Sequence, residues 1–270
     1  LYSVSLFYTV LLLLFLSPAD AAVREDLVTR EGLYYKKFSD QPFEGQLEGR
    51  IQSKIKNGKR HGAWLMFDKN GQLIEKGFND FGKKVGQWKY FRSDGTLTTS
   101  EVYQNGALNG DKKNFNTDGT ISEKFTYLNG LFKLHIAYSY QQGALLSEIS
   151  SNASGKHGVS KWYYRNGQVR TLQNNLDGKL SGVSLSYDHN GNIQNKTNYL
   201  SGEKNGASVY YFENGNVKSH TKYANGKLQY NETFYENGVL KAKDNRTNQS
   251  LKLKYLEFSE EGEIEVSKNY

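Results

Sequence analysis

The sequence of 270 residues has no cysteine, only two prolines and a single methionine. Without thiols the chain cannot form disulfides, thiolate metal sites or cysteine nucleophiles. With 37% hydrophobic and 23% charged residues, it is neither a bulk disordered chain nor a protein that spans a membrane many times. Its excess lies in turn formers and aromatic residues, 27 glycines, 20 tyrosines and 14 phenylalanines, which favour β-structure.

One apolar segment stands apart at the N-terminus. The run Val4–Leu16 contains no charged residue and is followed by Pro18 and by the small residues Ala19 and Ala21. It is shorter than the ~18 residues of a spanning helix, and the small residues suit cleavage after Ala21. The pattern predicts a signal peptide over residues 1–21 and an exported protein, periplasmic or secreted. The alternative is an inner-membrane anchor formed by the same segment.

The remaining sequence is dominated by a repeat of 24 residues. Gly62, Gly71, Phe67 and Leu73 recur as Gly86, Gly95, Phe91 and Leu97, and these columns continue to about residue 240. A fixed period of this length is the signature of a repeat architecture, in which each unit contacts its neighbours. The mature chain is therefore expected to be an array of similar units.

Each unit is predicted to be a β-hairpin. Phe67 and Leu73 are six residues apart, so placing both on one face as a cross-strand pair requires a three-residue loop with Gly71 in the left-handed conformation. In a late unit, Tyr235 and Leu240 are only five apart, which predicts a two-residue turn at Asn237-Gly238. Hairpin turns are expected at Asn70-Gly71, Asp94-Gly95, Asp118-Gly119, Asn166-Gly167, Asn190-Gly191 and Asn214-Gly215.

Successive hairpins are expected to join through polar loops such as 57–62. With two strands per unit at ~4.8 Å spacing, the units predict an all-β, elongated repeat of stacked antiparallel β-hairpins in a long, twisted, single-layer sheet. A propeller is the alternative fold, but it predicts that odd and even units differ, and Trp64 and Trp88 occupy the same position in consecutive units.

Domain boundaries follow from where the repeat holds. Residues 22–56 are predicted to form an N-terminal cap, 57–240 the hairpin repeats, and 241–270 a C-terminal cap with a decayed hairpin. The unit at 130–154 keeps the period but loses several repeat residues, so it is expected to be a bend or a specialised patch.

The repeat resembles a known family at particular residues. The stretches Asn57–Trp64 (NGKRHGAW) and Phe81–Trp88 (FGKKVGQW), each followed by an aromatic residue, Asp/Asn-Gly and an aliphatic residue, resemble the bacterial MORN-repeat variant. The opening Arg30–Phe38 with Pro42–Gly45 resembles the start of the YwqK-type antitoxin family. The resemblance covers about residues 27–265. It implies stacked hairpins and an antitoxin or immunity protein that holds a partner toxin inactive.

No residue pattern indicates catalysis. The sequence contains no H-E-x-x-H, no G-x-S-x-G and no phosphate-binding glycine motif. His61 and His157 occupy the same repeat position, which indicates a structural role. The Asp-Gly and Asn-Gly pairs lack the alternating acidic ligands of a calcium loop and have the spacing of hairpin turns. We therefore expect no enzyme activity, no cofactor and no metal site.

Two sets of residues are candidates for binding. The first is an aromatic surface opposite the Phe67 column, whose alternative role is to hold a single-layer sheet together. Its members are Trp64, Trp88, Tyr90, Trp162 and Tyr210, with Met66. The second is a basic stripe in the connecting loops, whose alternative role is a solvated charged edge. Its members are Lys59, Arg60, Lys83, Lys84, Lys156 and Lys179, with Lys227.

Three functions are compatible with these sequence features. The first is a protein-binding antitoxin or immunity module, with a toxin as partner. The second is an exported cell-envelope module that binds glycan or an anionic polymer or lipid surface, supported by the N-terminal segment and by the basic stripe. The third is enzymatic and depends on a site in the unit at 130–154. Nucleic acid is not expected, because the net charge of +7 is modest and export removes the target.

Overall fold

The computed structural model describes residues 21–139, 143–151, 157–245 and 254–269. Over these ranges the chain forms β-strands and one short 3-10 helix at Arg24–Asp26. Consecutive strands pair as antiparallel hairpins, so the predicted all-β fold of stacked hairpins is confirmed. None of the helical residues described here makes a segment long and apolar enough to cross a membrane. The run Val4–Leu16 lies outside the described residues.

Contacts divide the chain into two compact units. The first comprises residues up to Thr96 with Tyr103–Gly106, and the second comprises Leu97–Val102 with the residues from Ala107 onward. In the first unit β1 runs parallel to β4, β4 to β8 follow in antiparallel order, and β2 pairs with β3 in a sheet of their own. Its strands are β1 (Ala21–Val23), β2 (Leu27–Arg30), β3 (Leu33–Lys36), β4 (Gly45–Glu48), β5 (Ile51–Lys56), β6 (Lys59–Phe67), β7 (Leu73–Asp80) and β8 (Lys83–Phe91).

The apolar core of the first unit lies where the N-terminal cap was predicted. Backbone hydrogen bonds join the β2–β3 hairpin to the first repeat, from Tyr34 N–H to the Gly58 carbonyl (2.8 Å) and from Gly58 N–H to the Phe43 carbonyl (2.9 Å). These bonds hold the hairpin over the sheet, so that its apolar side chains are removed from water. The buried cluster consists of Ala22, Leu27, Tyr34, Phe43, Leu47 and Ile55.

The second unit is an open antiparallel sheet in which each strand from β11 to β16, and from β18 to β25, pairs with the next. The short β17 and β18 both pair with β16. After β9 (Leu97–Gln104), which the two units share, the strands are β10 (Ala107–Leu108), β11 (Gly110–Phe115), β12 (Ile121–Leu128), β13 (Leu131–Tyr138), β14 (Leu145–Ser150), β15 (His157–Tyr163), β16 (Val169–Leu176), β17 (Lys179–Leu180), β18 (Gly182–Tyr187), β19 (Ile193–Leu200), β20 (Glu203–Tyr211), β21 (Val217–Ala224), β22 (Lys227–Phe234), β23 (Leu240–Asn245), β24 (Lys254–Phe258) and β25 (Ile264–Asn269).

The first kind of turn is the predicted three-residue loop. Phe67 pairs with Leu73 across β6 and β7, the Asp68 N–H donates to the Gln72 carbonyl (2.8 Å), and Gly71 has a φ of 82°. Glycine is required there because a side chain in the left-handed region is strained. The same geometry recurs at all six predicted turns, which are therefore confirmed.

The second kind of turn joins one hairpin to the next and is shorter than expected. The predicted six-residue loop is wrong, because only Asn57 and Gly58 lie outside the strands and Lys59–His61 already belong to β6. Both turn residues have positive φ, 50° and 72°, as a two-residue hairpin turn with the twist of its strands demands. Equivalent turns lie at Phe81-Gly82, Asn105-Gly106, Asn129-Gly130, Asp177-Gly178, Ser201-Gly202 and Asn225-Gly226.

Most of the two-residue turns are also bonded to the preceding hairpin. The Gly82 N–H donates to the Arg60 carbonyl (2.8 Å), and the Gly226 N–H donates to the Lys204 carbonyl (2.9 Å). The glycine thus extends the hydrogen bonding between hairpins to the edge of the sheet. A side chain on it would approach the first strand residue of the preceding hairpin, since a Cβ on Gly82 lies 3.9 Å from that of Lys59.

The Gly62 column marks a wide bulge within the strand. Ser53 pairs with Trp64 and Lys54 with His61, so two residues of β6, Gly62 and Ala63, have no partner on β5. Gly62 has a φ of 86°, which explains why glycine occupies this position. The glycines that close the predicted connecting loops therefore belong to the strands.

The late hairpin has a smaller bulge, and its predicted turn is wrong. Where the Gly62 column would place glycine, β22 has Tyr230, and only one residue is extra, because Lys222 pairs with Tyr230 and Tyr223 with Leu228. The missing residue therefore lies in the strand. Phe234 takes the place of Tyr235 as the partner of Leu240, and the three-residue turn is retained instead of a two-residue turn at Asn237-Gly238.

The unit at 130–154 also lacks one strand residue, but its turn compensates for the loss. Leu134 replaces the column glycine, and the bulge in β13 is again one residue smaller. Its turn is one residue longer, however, because Tyr138 pairs with Leu145 seven residues on, and Ser139 N–H donates to the Ala144 carbonyl (2.8 Å). This restores the 24-residue phase. The tip at 140–142 lies outside the described residues.

A central row of side chains along one face changes chemistry from rung to rung. In the first unit the large rings of Trp64 and Trp88 lie beside Gly77, which is buried. In the second unit several neighbouring rungs match by charge, by stacked rings or by hydrogen-bonding side chains. These pairs are Lys112 with Glu101 (2.9 Å), Phe125 stacked on His135 (4.3 Å between centroids), Thr197 with Ser208 (2.7 Å) and Thr221 with Asn231 (2.7 Å).

Gly77→Ala should destabilise the first unit by overpacking alone. The backbone there is not in the left-handed region, but an added Cβ would lie 2.2 Å from Trp88 Cδ2. We expect a loss of about 1–3 kcal/mol in the free energy of unfolding, measured by chemical denaturation. In a Trp88→Leu background the same change should cost less, because the clashing ring is gone. Equal costs in both backgrounds would contradict the contact.

Candidate binding surfaces

The two tryptophans that the sequence offers as a binding surface are interior side chains. Trp64 is 4% exposed and Trp88 is fully buried. The Trp88 indole N–H donates to the Phe78 carbonyl (3.0 Å), and its ring lies against Gly77. Neither ring is available to a partner in this conformation, so their structural role outweighs the binding role.

Two of the basic candidates cover these rings. The Arg60 guanidinium lies 4.2 Å from the centroid of Trp64, and Lys84 Nζ lies 3.9 Å from that of Trp88. Lys84 also donates to the Tyr90 hydroxyl (2.7 Å) and contacts the Glu75 carboxylate (3.3 Å). Cations over indole faces are attracted by the ring quadrupole. Arg60 and Lys84 thus belong with the aromatic candidates of the first unit to the interior rather than to a separate basic surface.

The remaining described lysines stand at the edge formed by the two-residue turns. Lys59 and Lys83 begin β6 and β8, and Lys179 begins β17. All three are exposed, and no hydrogen bond or ion pair joins their side chains to other residues that the structure describes. Lys156 lies outside the described residues. These lysines are free to meet an anionic partner.

A shallow basic notch lies at this edge of the first unit. It has a volume of about 310 Å³ and is lined by Tyr34, Lys59, Arg60, Phe81 and Lys83, among others. Arg60 donates from Nη2 (2.7 Å) and Nε (3.1 Å) to the Tyr34 hydroxyl, which accepts from a guanidinium without neutralising it. No carboxylate belongs to the described lining. The positive charge here is uncompensated.

The turn edge of the second unit carries exposed leucines instead. Leu128 and Leu131 flank the Asn129-Gly130 turn, and Leu176 and Leu200 each precede a turn residue. They are between 46% and 54% exposed. Lys179 and Glu203, their partners across the turns, are charged. We call these four residues the leucine edge. Leu128, Leu176 and Leu200 lie at multiples of 24 residues, but the column was not recognised in the sequence because other units have Asp80, Gln104 and Ala224 there.

Tyr210 lies in a groove of the second unit that has a volume of about 870 Å³. Its neighbours across the strands are Asn195 and Ser219, and Phe212 and Tyr235 stand at the side. Trp162 occupies the same repeat column two units earlier, is half-buried between Ser147 and Thr171, and lies outside this groove. Of the aromatic candidates, Tyr210 is the exposed one, at 42%.

Two groove residues escaped the sequence analysis for a simple reason. Phe212 and Tyr235 occupy the same turn position, that of Asp68, but the one-residue deletion in β22 makes them 23 rather than 24 residues apart. Alignment on the turn glycines Gly215 and Gly238 would have revealed the pair.

The histidines that could serve an enzyme are held by their neighbours. His135 stacks on Phe125 and contacts Glu123 (3.2 Å), and His220 lies 3.1 Å from the Tyr230 hydroxyl. Among the described residues, no three His, Asp or Glu side chains converge as a metal site would require. The hairpin at 131–151 brings together no further catalytic set over its described part.

Sequence and structure comparisons give one family match. Residues 60–78, 156–174, 180–200 and 204–225 match a family described as MORN repeat variant. Each match corresponds to one hairpin around a three-residue turn. No curated protein matches the chain.

Solved structures show only distant likeness. A TarM mutant of S. aureus, in complex with fondaparinux, α-GlcNAc-glycerol and UDP, is 9% identical over 46% of this chain and 19% of its own, with a TM-score of 0.22. The Tc holotoxin pore of Photorhabdus luminescens is 13% identical over 73% and 14%, with a TM-score of 0.18. A TcdB2–TccC3 structure is 10% identical over 90% and 19%, with a TM-score of 0.19. The chain thus spans less than a fifth of each, and scores of this size do not show a shared fold.

Substitutions of the adjacent lysines Lys83 and Lys84 should differ in their effect on stability. Lys84→Gln should lower the free energy of unfolding by about 1 kcal/mol, because the charge over Trp88 and the bond to Tyr90 are lost. Lys83→Gln should leave stability unchanged, since its exposed side chain has no partner among the described residues. Thermal and chemical denaturation measure both. Equal effects of the two changes would contradict the internal role of Lys84.

Proposed function

Because the chain carries MORN repeats of the variant type, we propose that it is a non-enzymatic protein that binds another protein, in the manner of an antitoxin or immunity protein. The resemblance of Arg30–Phe38 and Pro42–Gly45 to the YwqK-type family supports the antitoxin class. The N-terminal run Val4–Leu16 supports export, so the partner would be met outside the cytoplasm. The proposal gives the repeats a binding role and no reaction.

The leucine edge is the observation that favours a protein as the partner. Leu128, Leu176 and Leu200 precede equivalent turns, Leu131 follows one of them, and all four expose about half of their surface. Apolar side chains surrounded by charged residues are the arrangement of a protein interface, with a desolvated centre and a polar rim. Removing a leucine side chain from water contributes on the order of 1–2 kcal/mol, so several together give useful affinity. A small polar ligand would gain nothing from them.

The leucine edge also suits a partner that contacts several hairpins at once. Leu176 and Leu200 belong to successive hairpins, and with two strands per hairpin their turns lie about 10 Å apart. Each hairpin offers one or two contacts, so a partner must span several of them. Lys179 and Glu203 between the leucines provide charges of both signs, which favours specificity more than affinity.

The product of the neighbouring reading frame is the first partner to test. We expect it to be toxic when exported alone, to be neutralised by this chain, and to bind the purified protein. The double change Leu176→Glu and Leu200→Glu should weaken that binding at least about tenfold, because charge is placed in a desolvated contact. Isothermal titration calorimetry measures the affinity, and circular dichroism checks that the sheet is intact.

A matched control uses an exposed apolar residue at the opposite edge. Ile264 is 62% exposed beside a three-residue turn, so Ile264→Glu should leave the affinity unchanged. A neighbouring product that is harmless and does not bind would contradict the antitoxin role. Full binding by the leucine double variant would show that the partner uses another surface.

The basic notch favours a second candidate, an anionic polymer or lipid surface of the cell envelope. Lys59, Arg60 and Lys83 place three positive charges around a cavity whose described lining has no acid. Phosphate or carboxylate groups would neutralise them through charge-assisted hydrogen bonds, which are stronger than neutral ones. This contact would be electrostatic, whereas that of the leucine edge is apolar.

Vesicles of phosphatidylglycerol and phosphatidylcholine test the second candidate. Lys59→Gln with Lys83→Gln should reduce sedimentation with the anionic vesicles severalfold, and raising the salt should reduce it further by screening. Lys179→Gln with Lys227→Gln, in the same column of the second unit, should have little effect. Equal losses in both pairs would indicate distributed charge rather than the notch, and no binding at low salt would reject this candidate.

A further inference from the structure

The floor of the Tyr210 groove is built from small polar side chains on neighbouring strands. Asn195 and Ser219 lie directly opposite Tyr210 on β19 and β21, with Ser186 and Thr233 beyond them in the same row. Because each of these strands is paired on both sides, no backbone edge is left for an extended peptide to join. Recognition on this floor must use side chains.

Tyr210 is the open aromatic ring of the groove. Lys218 Nζ lies 5.6 Å from the ring centroid of Phe212, and Lys241 Nζ lies 5.2 Å from that of Tyr235, so both rings already have a cation over them. No lysine or arginine lies over Tyr210 among the described residues, and 42% of its surface is exposed. Its face can therefore accept a flat ligand.

The polar groups around this ring have unused hydrogen-bonding capacity. Asn195 is held in place, since its Nδ2 donates to the Val209 carbonyl (3.1 Å) and its Oδ1 accepts from Thr197 (3.0 Å). By contrast, the side chains of Ser219 and Thr233 are half-buried and make no hydrogen bond to other described residues. Hydroxyl groups donate and accept at once, so they suit a ligand that is itself rich in hydroxyls.

The side of the groove is also rigid. The Tyr235 hydroxyl donates to the Phe258 carbonyl (3.0 Å), which ties the ring to the next hairpin. Burial, with the carboxylates of Glu265 and Glu260, raises the pKa of Tyr235, so the phenol keeps the proton that this bond needs. A wall held in place before binding lowers the entropy cost of association.

From this lining we propose that the groove binds a neutral oligosaccharide, one sugar ring lying on Tyr210 and its hydroxyls bonded to Ser219 and Thr233. The polarised C–H groups on one face of a pyranose meet the negative face of an aromatic ring, while its rim of hydroxyls needs groups that both donate and accept. An open groove of about 870 Å³, lined by both aromatic rings and polar groups, holds several sugar units. The site is separate from the leucine edge and does not depend on the protein partner.

Calorimetry with cellohexaose and with the hexasaccharide of N-acetylglucosamine tests the site on the full chain. We expect at least one of them to bind with a Kd below about 1 mM. Tyr210→Ala should weaken binding at least about tenfold, because the platform is lost. Thr233→Val keeps the side-chain volume and removes one hydroxyl, so it should weaken binding severalfold without disturbing the fold.

The matched control is Trp162→Ala, in the same repeat column but outside the groove. It should leave the sugar affinity within about twofold of the parent. The leucine double variant should also bind sugar normally, which separates this site from the proposed protein interface. Absence of binding to both hexasaccharides at millimolar concentration overturns the proposal. So does an intact affinity in well-folded Tyr210→Ala and Thr233→Val, or an equal loss in Trp162→Ala.

Discussion

In most of the two-residue turns, a hydrogen bond from the glycine to the preceding hairpin sets the register on which the rest depends. In the Gly82 and Gly226 turns the glycine N–H reaches a carbonyl of the previous hairpin at 2.8 and 2.9 Å. The turn requires a left-handed backbone at this glycine, a conformation in which a side chain is strained. Because side chains alternate between faces, a slip of one residue would move every rung to the wrong side.

With the register set, the rungs of the central row can differ freely as long as neighbours match. A tryptophan is accommodated where its neighbour is glycine, a lysine where it is glutamate, and a threonine where it is serine or asparagine. These matches fill buried volume, and the polar ones also bond groups that would otherwise lose their water. The repeat therefore conserves spacing and not composition, and the two units have different interiors and different exposed chemistry.

Much of the fold could be predicted because it depends on local spacing. Phe67, Gly71 and Leu73 define a turn through distances along the chain alone, and the structure reproduces it. The bulges could not be predicted, since a residue without a partner is visible only against the opposite strand. This is why the turn at Asn237-Gly238 was misjudged: the deletion lay seven residues earlier, at the position of Tyr230.

For the candidate site residues, too, local spacing could be predicted from the sequence, whereas contacts with other strands could not. Alternation places Trp88 and Tyr210 on one face, but it does not reveal that Lys84 and Gly77 enclose the first whereas small polar residues leave the second open. Exposure is decided by neighbours on adjacent strands, which are distant in sequence. The lysines at turn edges are easier to place, because charged side chains remain in water unless a partner is provided.

The two ways in which hairpins accommodate a missing strand residue make each hairpin an independent unit of length variation. In the hairpin at 131–151 the turn gains what the strand loses, so everything downstream keeps its numbering phase. In the hairpin of β22 nothing is regained, yet the following hairpin forms with the same turn geometry, Phe258 facing Ile264. Insertions and deletions are thus contained where they occur. A chain built in this way can gain, lose or exchange single modules, and so remodel the surface it presents, while the adjoining modules keep their structure.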